Sequence, residues 1–449
     1  MRLWKRFPWW GLVVSAVAWG GSAVPQYSQL RYDSDYPTVG YSGAAVDNPI
    51  ARLQARLDRG ETRLEFNGVR GYLDSLLKAL GIDASSQVLV YSKTSLQIDH
   101  INAAMPRAIY FNDDSYVAWV QGSDLLEMTV MDASLGAVFY TLKNSPDGGS
   151  QFERRTSQCL TCHDTYAMSG GGVPRFLISS TLVDTNGIIL GNEVARETDD
   201  RTPLADRWGG WYVTGVPDNE AHLGNIQIPV RTTAVPSHLA QRGTLASLST
   251  LFDTHPYITD KSDIVALLVL EHQIEVKNLI TRLSYKSRSF LARDAAARAP
   301  TPVTFETASP ETQTAVRGMT EQLVRALLFK DAASYRHAIA GTAGYDRWFA
   351  SQGPRDAQGR SLRDFDLHKR LFKYPLSYVI YSEAFDALPR YVKAGIYARL
   401  REILSGEDRG ADFSYLSDEE RRPILEILAA TKPDFAVSTS SRTAGRVAR

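Results

Sequence analysis

Gln87–Ser92 (QVLVYS), Arg107–Phe111 (RAIYF), Tyr116–Gln121 (YVAWVQ), Leu126–Met131 (LEMTVM) and Ala137–Leu142 (AVFYTL) decide the fold class. Each run is short and rich in β-branched and aromatic residues. Turn formers separate them, among them Asn112-Asp113-Asp114 and Gly136. That texture predicts a strand meander over 87–143. A further hairpin is expected at Phe176–Val183 and Ile188–Leu190, turning at Asp184-Thr185-Asn186-Gly187.

Outside the meander the period changes from two to 3.6. Ile50, Leu53 and Leu57 mark a helix over 48–59. Val69, Leu73, Leu76, Leu77 and Leu80 mark another over 68–81, with Gly81 as its stop. The C-terminal half reads as helical, with segments at Ser262–Ala297, 309–329, 385–404 and 417–430. The fold class is therefore α+β, with a strand-rich N-terminal half and a helical C-terminal half.

The chain has 449 residues, room for about two or three domains. An apolar share of 44% excludes wholesale disorder. Fifty Lys+Arg against 50 Asp+Glu argues against a partner bound by neutralising phosphates, so no nucleic acid is expected. Two cysteines exclude a disulfide-dense scaffold.

Residues 1–23 read as a signal peptide. Arg2, Lys5 and Arg6 are the basic region, Trp9 to Trp19 the apolar one, and Gly21 and Ala23 the small residues at cleavage. The apolar run is too short for a membrane span. Removal leaves 47 Lys+Arg against 50 Asp+Glu, a mildly acidic chain exported to the periplasm or beyond, with no membrane span.

Both cysteines fall in Cys159-Leu160-Thr161-Cys162-His163, the C-x-x-C-H pattern. Two thiols at this spacing can each add across a haem vinyl group, and the adjacent imidazole can meet the iron. A zinc site would need more soft ligands than the chain offers as cysteine. A thioredoxin-like pair would want a βαβ context, and a Cys159–Cys162 disulfide would close a strained loop. Export fits haem attachment, which occurs outside the cytoplasm. One covalent haem c is expected, with Cys159 and Cys162 as thioethers and His163 as proximal ligand.

The motif follows a β-meander, so this is not a plain small cytochrome c fold. The distal side of the iron has several candidates. Met168 follows His163 too closely in the chain to reach the opposite face with ease. His272, within Glu271-His272-Gln273, interrupts a helix that is otherwise apolar all round. His222 lies in a Gly/Trp-rich loop context. Glu271 and His272 are also candidate catalytic acid–base groups. Arg201 and Arg207 are candidate propionate partners, with ordinary surface charge as the alternative. His100, His238, His255, His337 and His368 have no supporting context.

Ser92–Gln97, Pro106–Asp113, the C-x-x-C-H motif, Arg207–Gly215, His222–Asn225 and Leu270–Gln273 occur in this order. Together they resemble a family of large, exported bacterial proteins with one c-type haem motif, across most of 48–430. The resemblance implies haem binding and electron transfer but no particular reaction. It carries Cys159, Cys162 and His163 over directly, and gives no role to His222 or His272.

The expected organisation is a signal peptide at 1–23, an extended arm at 24–47 and an α+β haem-attachment region at 48–240. A helical region at 241–432 packs on it, and a disordered tail follows at 433–449. The expected function is electron transfer by an exported monohaem protein, served by a redox partner protein or a small electron donor or acceptor. The length, far beyond what wraps one haem, makes a peroxidase- or oxidase-like haem enzyme the alternative. A haem-based redox or ligand sensor is the third reading.

Overall fold

The computed structural model describes residues 36–164, 172–190, 195–216, 221–230 and 243–436. The expected signal peptide, the first part of the arm, most of the tail, Met168 and His238 lie outside the described residues.

The chain is mixed α+β. Helices α1 (Pro49–Asp58) and α2 (Leu73–Leu80) come first. Asn48 caps α1 by accepting from Ala51 N, with Pro49 in its first turn. Gly81 closes α2 at φ +67°, a left-handed conformation that costs glycine little.

Strands β1 (Val88–Val90), β2 (Arg107–Phe111), β3 (Ser115–Trp119), β4 (Leu125–Asp132), β5 (Gly136–Lys143) and β6 (Glu153–Arg155) form one antiparallel sheet in sequential order. The register pairs Ile109 with Ala118, Ala118 with Glu127, Glu127 with Thr141, and Phe139 with Arg155. Because side chains alternate, these residues share one face of the sheet. The opposite face, with Ala108, Tyr110, Val117, Trp119, Leu126, Met128 and Val130, is buried. On the first face Arg107, Ile109, Ala118, Leu125, Glu127 and Thr129 stay half-buried.

The other end of that face is covered by α4 (Ile264–Ala297), a 34-residue helix about 50 Å long. Asp263 caps it, one carboxylate oxygen accepting from Val265 N and Ala266 N. Gln273 donates to Tyr116 OH at 2.7 Å, and Tyr285 donates to the Leu135 carbonyl at 2.8 Å. Gly136 lies so tightly beneath Thr281 that a Cβ there would collide. These contacts bind the helix to β3 and β5.

Helices α5 (Pro310–Leu327), α6 (Tyr345–Ser351), α7 (Glu383–Asp386), α8 (Arg390–Leu404) and α9 (Asp418–Thr431) complete the C-terminal half. One apolar core runs from Tyr36 to Phe435, so the packing is continuous across residue 240. Residues 36–47 form turns rather than an extended arm. Tyr41 is buried there and donates to the Ala137 carbonyl at 2.9 Å, which ties the segment to β5. No helix among the described residues is long and apolar enough to cross a membrane.

The expected hairpin over 176–190 is reduced to a Val183–Ile189 bridge. Its turn is present, with Asp184 Oδ1 accepting from Asn186 N and Ile188 N. Ser179–Ser180 instead pairs with Arg196–Glu197, forming strands β7 and β8.

Candidate functional site

Leu160–His163 forms one short helical turn, α3, after β6, held to the core by the fully buried Leu160. Cys162 N and His163 N both donate to the Cys159 carbonyl, at 3.2 and 3.0 Å. Residues three apart on a helical turn share a side, so the two thiols are neighbours. Both are free; Cys159 is half-buried and Cys162 exposed. Burial pushes the Cys159 thiol up to about 11, with the Glu127 carboxylate adding to the effect.

The segment Pro174–Phe176 holds His163 at two points. Arg175 N donates to the His163 carbonyl at 3.2 Å, and His163 Nδ1 lies 2.9 Å from the Arg175 carbonyl. A carbonyl only accepts, so Nδ1 carries the proton and Nε2 is the basic nitrogen. Phe139 of β5 packs on the ring with centroids 4.6 Å apart. Asn278 of α4 fixes the neighbouring Phe176 through both its N–H and its carbonyl, each at 2.9 Å. Burial holds the His163 imidazole down to about 4, and the nearby Arg107 guanidinium adds to the depression. The ring is therefore neutral at physiological pH.

This donor set fits covalent haem. Metal-binding histidines commonly donate their second nitrogen to a carbonyl, which fixes tautomer and ring orientation. Among the described residues no group of three His, Cys, Asp or Glu side chains converges as a metal cluster. A zinc centre requires such convergence. Thioether attachment does not, because the sulfurs bond the porphyrin rim while the imidazole alone faces the iron.

His272 is fully buried on α4 and both of its nitrogens are engaged. Nδ1 is 2.6 Å from Asp200 Oδ2, and Nε2 is 2.7 Å from Ser377 Oγ. Phe329 stacks on the ring at 4.3 Å, and Phe372 and Tyr378 flank it. In this arrangement neither nitrogen is free for iron. Glu271 is equally committed: it accepts from Thr198 Oγ1 at 2.6 Å and from Arg207 at 2.7 Å, in an ion pair sealed from solvent. A cavity of about 20 Å³ beside this network holds little more than a water; Asp200, Arg207, Tyr335 and Phe372 line it.

His222 is 1% exposed and sits edge-to-face with Trp208, centroids 5.4 Å apart. Its Nδ1 accepts from Gly224 N at 3.0 Å, so the proton of the neutral ring is on Nε2, and that nitrogen has no hydrogen-bond partner among the described residues. A protonated Nε2 is a donor and cannot ligate. Burial holds this imidazole down to about 4. The loop is clamped by Asn225, whose side chain bonds Val213 N and O at 2.8 and 2.9 Å.

Arg207 is tied to Glu271, the Thr202 carbonyl and the Asp200 carbonyl, and Arg201 to Asp199 and Glu275. Both candidate propionate partners thus already have acidic partners within the protein. His100, His255, His337 and His368 are exposed. Sequence reasoning missed Arg175, Phe139, Asn278, Asp200 and Ser377. Arg175 acts through its backbone carbonyl, which no side-chain pattern announces; Asp200 and Ser377 stand 72 and 105 residues from His272.

Comparison with family models, with curated proteins and with solved structures finds no match.

Proposed function

We propose that this chain is an exported c-type haem protein that carries one covalent haem and transfers electrons with a redox partner. The observation that carries the reading is the state of the three C-x-x-C-H side chains. Two free thiols lie side by side on a helical turn, and His163 is neutral with its proton directed at the Arg175 carbonyl. Haem held there would supply a one-electron iron couple. Cys159 and Cys162 would anchor it, and His163 would give Nε2 to the iron. Phe139 and the Arg175 carbonyl keep the ring from turning, which favours an unchanged coordination in both redox states. The resemblance to exported monohaem proteins agrees with this reading.

The test is expression with a signal peptide and a c-type maturation system, followed by denaturing electrophoresis with haem stain and a pyridine haemochrome spectrum. Covalent haem is expected, and Cys159→Ser/Cys162→Ser should abolish it. Wild-type protein matured in this way without covalent haem would sink the proposal.

One observation favours a haem enzyme as the second reading. Of His163, His222 and His272, His163 alone presents a basic nitrogen without a partner among the described residues; His272 is bonded at both nitrogens and His222 carries its proton on Nε2. An iron held by His163 would then receive neither His222 nor His272 in this arrangement, which favours an exchangeable site. Carbon monoxide binding to the reduced protein tests it: a shifted Soret band supports an open site, and an unchanged spectrum rejects it.

A further inference from the structure

The haem reading leaves open what neutralises the propionates, because Arg201 and Arg207 are committed to protein carboxylates. The arginines around the attachment turn differ in how well they are paired. Arg155 donates to Thr141 Oγ1 at 2.8 Å and pairs with Glu153 at 2.7 Å. Arg175 pairs with Glu197.

Arg107 is different. Its side chain is 14% exposed, and its ion-pair partner is Glu127 at 3.9 Å, beyond hydrogen-bond reach. Its Nε is buried without a hydrogen-bond partner among the described residues. Glu127 is meanwhile occupied, accepting from Leu96 N and Gln97 Nε2, both at 2.9 Å. A poorly paired guanidinium at this depth is costly, and burial lowers its affinity for its own proton.

The position of Arg107 is as informative as its pairing. It stands on the half-buried face of the sheet, the face that also carries Phe139 under the His163 ring. Glu127 pairs with Thr141, two residues along β5 from Phe139, so the Arg107–Glu127 pair stands on the same stretch of the face as the His163 ring. Between Arg107 and Glu127 lie Ile109 and the small Ala118, both half-buried, an apolar floor beside the attachment turn.

Resting on the haem reading, we infer that Arg107 is the propionate-binding residue and that the Ile109–Ala118 floor is the wall against which the haem edge packs. A carboxylate supplies what this guanidinium lacks, a forked acceptor at hydrogen-bond distance. Arg107 is a positioning residue, since it meets the cofactor's periphery and not its iron.

The test uses matured holoprotein. In wild type, carbodiimide with glycine ethyl ester should leave one propionate unmodified, read by mass spectrometry of the proteolytic haem peptide. In Arg107→Gln that propionate should become reactive. The reduction equilibrium against a dye of fixed potential should also fall, on the order of tenfold, the effect of one unit charge at ~10 Å in an effective dielectric of ~20. Arg107→Lys should keep the equilibrium within about twofold, and so separates loss of charge from misfolding if the glutamine variant does not mature. Arg201→Gln should match wild type in both readouts. Equal propionate reactivity in wild type and Arg107→Gln, or a lysine variant that matures with a tenfold loss, overturns the inference. Wild type without covalent haem overturns the haem reading itself, a different result from haem present and Arg107 silent.

Discussion

His272 and Asp200 stand 2.6 Å apart, Nδ1 to Oδ2, on elements 72 residues apart in the chain, and Ser377 completes the line at Nε2. The carboxylate fixes the proton on Nδ1, so Nε2 accepts from the serine hydroxyl. The order Asp–His–Ser matches that of hydrolytic triads, but Ser377 Oγ is sealed and also accepts from Val379 N at 3.2 Å. The network fastens α4 to the loop that precedes α7. His272→Leu should therefore destabilise the fold by about 2–4 kcal/mol, the cost of two buried polar groups losing a partner. Urea denaturation measures this. The absorption spectrum of the holoprotein should stay as in wild type, and a changed spectrum would restore His272 as an iron ligand.

Arg207 and Glu271 form the most deeply buried ion pair described, with side chains 2% and 0% exposed. Removing one partner strands the other charge without water. Arg207→Leu and Glu271→Leu should each cost about 3–5 kcal/mol. The double substitution should cost clearly less than the two losses combined, because it strands no charge. Additive losses in denaturation experiments would show that the pair contributes nothing as a pair.

Burial of His222 sets a pH dependence. Its folded pKa lies near 4, below the ordinary imidazole value of about 6.5. The folded state thus binds fewer protons than the unfolded chain, and stability rises with pH across this window. Going down from pH 6.5 to pH 4, the protein should lose about 3 kcal/mol attributable to this residue. His222→Gln should flatten the stability profile over that interval relative to wild type. Identical slopes would show that the ring is not held neutral.

The two thiols differ in exposure, and this predicts unequal variants. Cys162 is exposed, while Cys159 is half-buried and packs against the core. Cys162→Ser should still mature with one thioether, giving a pyridine haemochrome band displaced toward that of a haem with a free vinyl. Cys159→Ser, which keeps the exposed Cys162 thiol, should mature in higher yield. Equal yields from both variants would contradict this.

The α+β class was legible because the meander segments alternate or run apolar at strand length, and the C-terminal segments keep a helical period. The bounds of β2, Arg107–Phe111, match the sequence reading, and α4 begins two residues later than expected because Asp263 takes the cap. Strand β6 was not legible. Glu153-Arg154-Arg155 has no apolar residue, and it is a strand because the β5 edge needs a partner. Cys159, Cys162 and His163 share one helical turn, as their spacing implies. The role of Glu271 and His272 could not be read, because a buried polar cluster looks the same in sequence whether it meets a cofactor or Arg207, Asp200 and Ser377.

The depth of Cys159 also sets an order of assembly. Inside the finished fold its thiol stays protonated up to about pH 11, whereas in the open chain it is an ordinary thiol. On the haem reading, the vinyl meets this sulfur more readily before the core around it closes. A chain that closes its core first becomes a poor acceptor, so on that reading maturation and folding compete, and the winner decides whether the molecule ever becomes coloured.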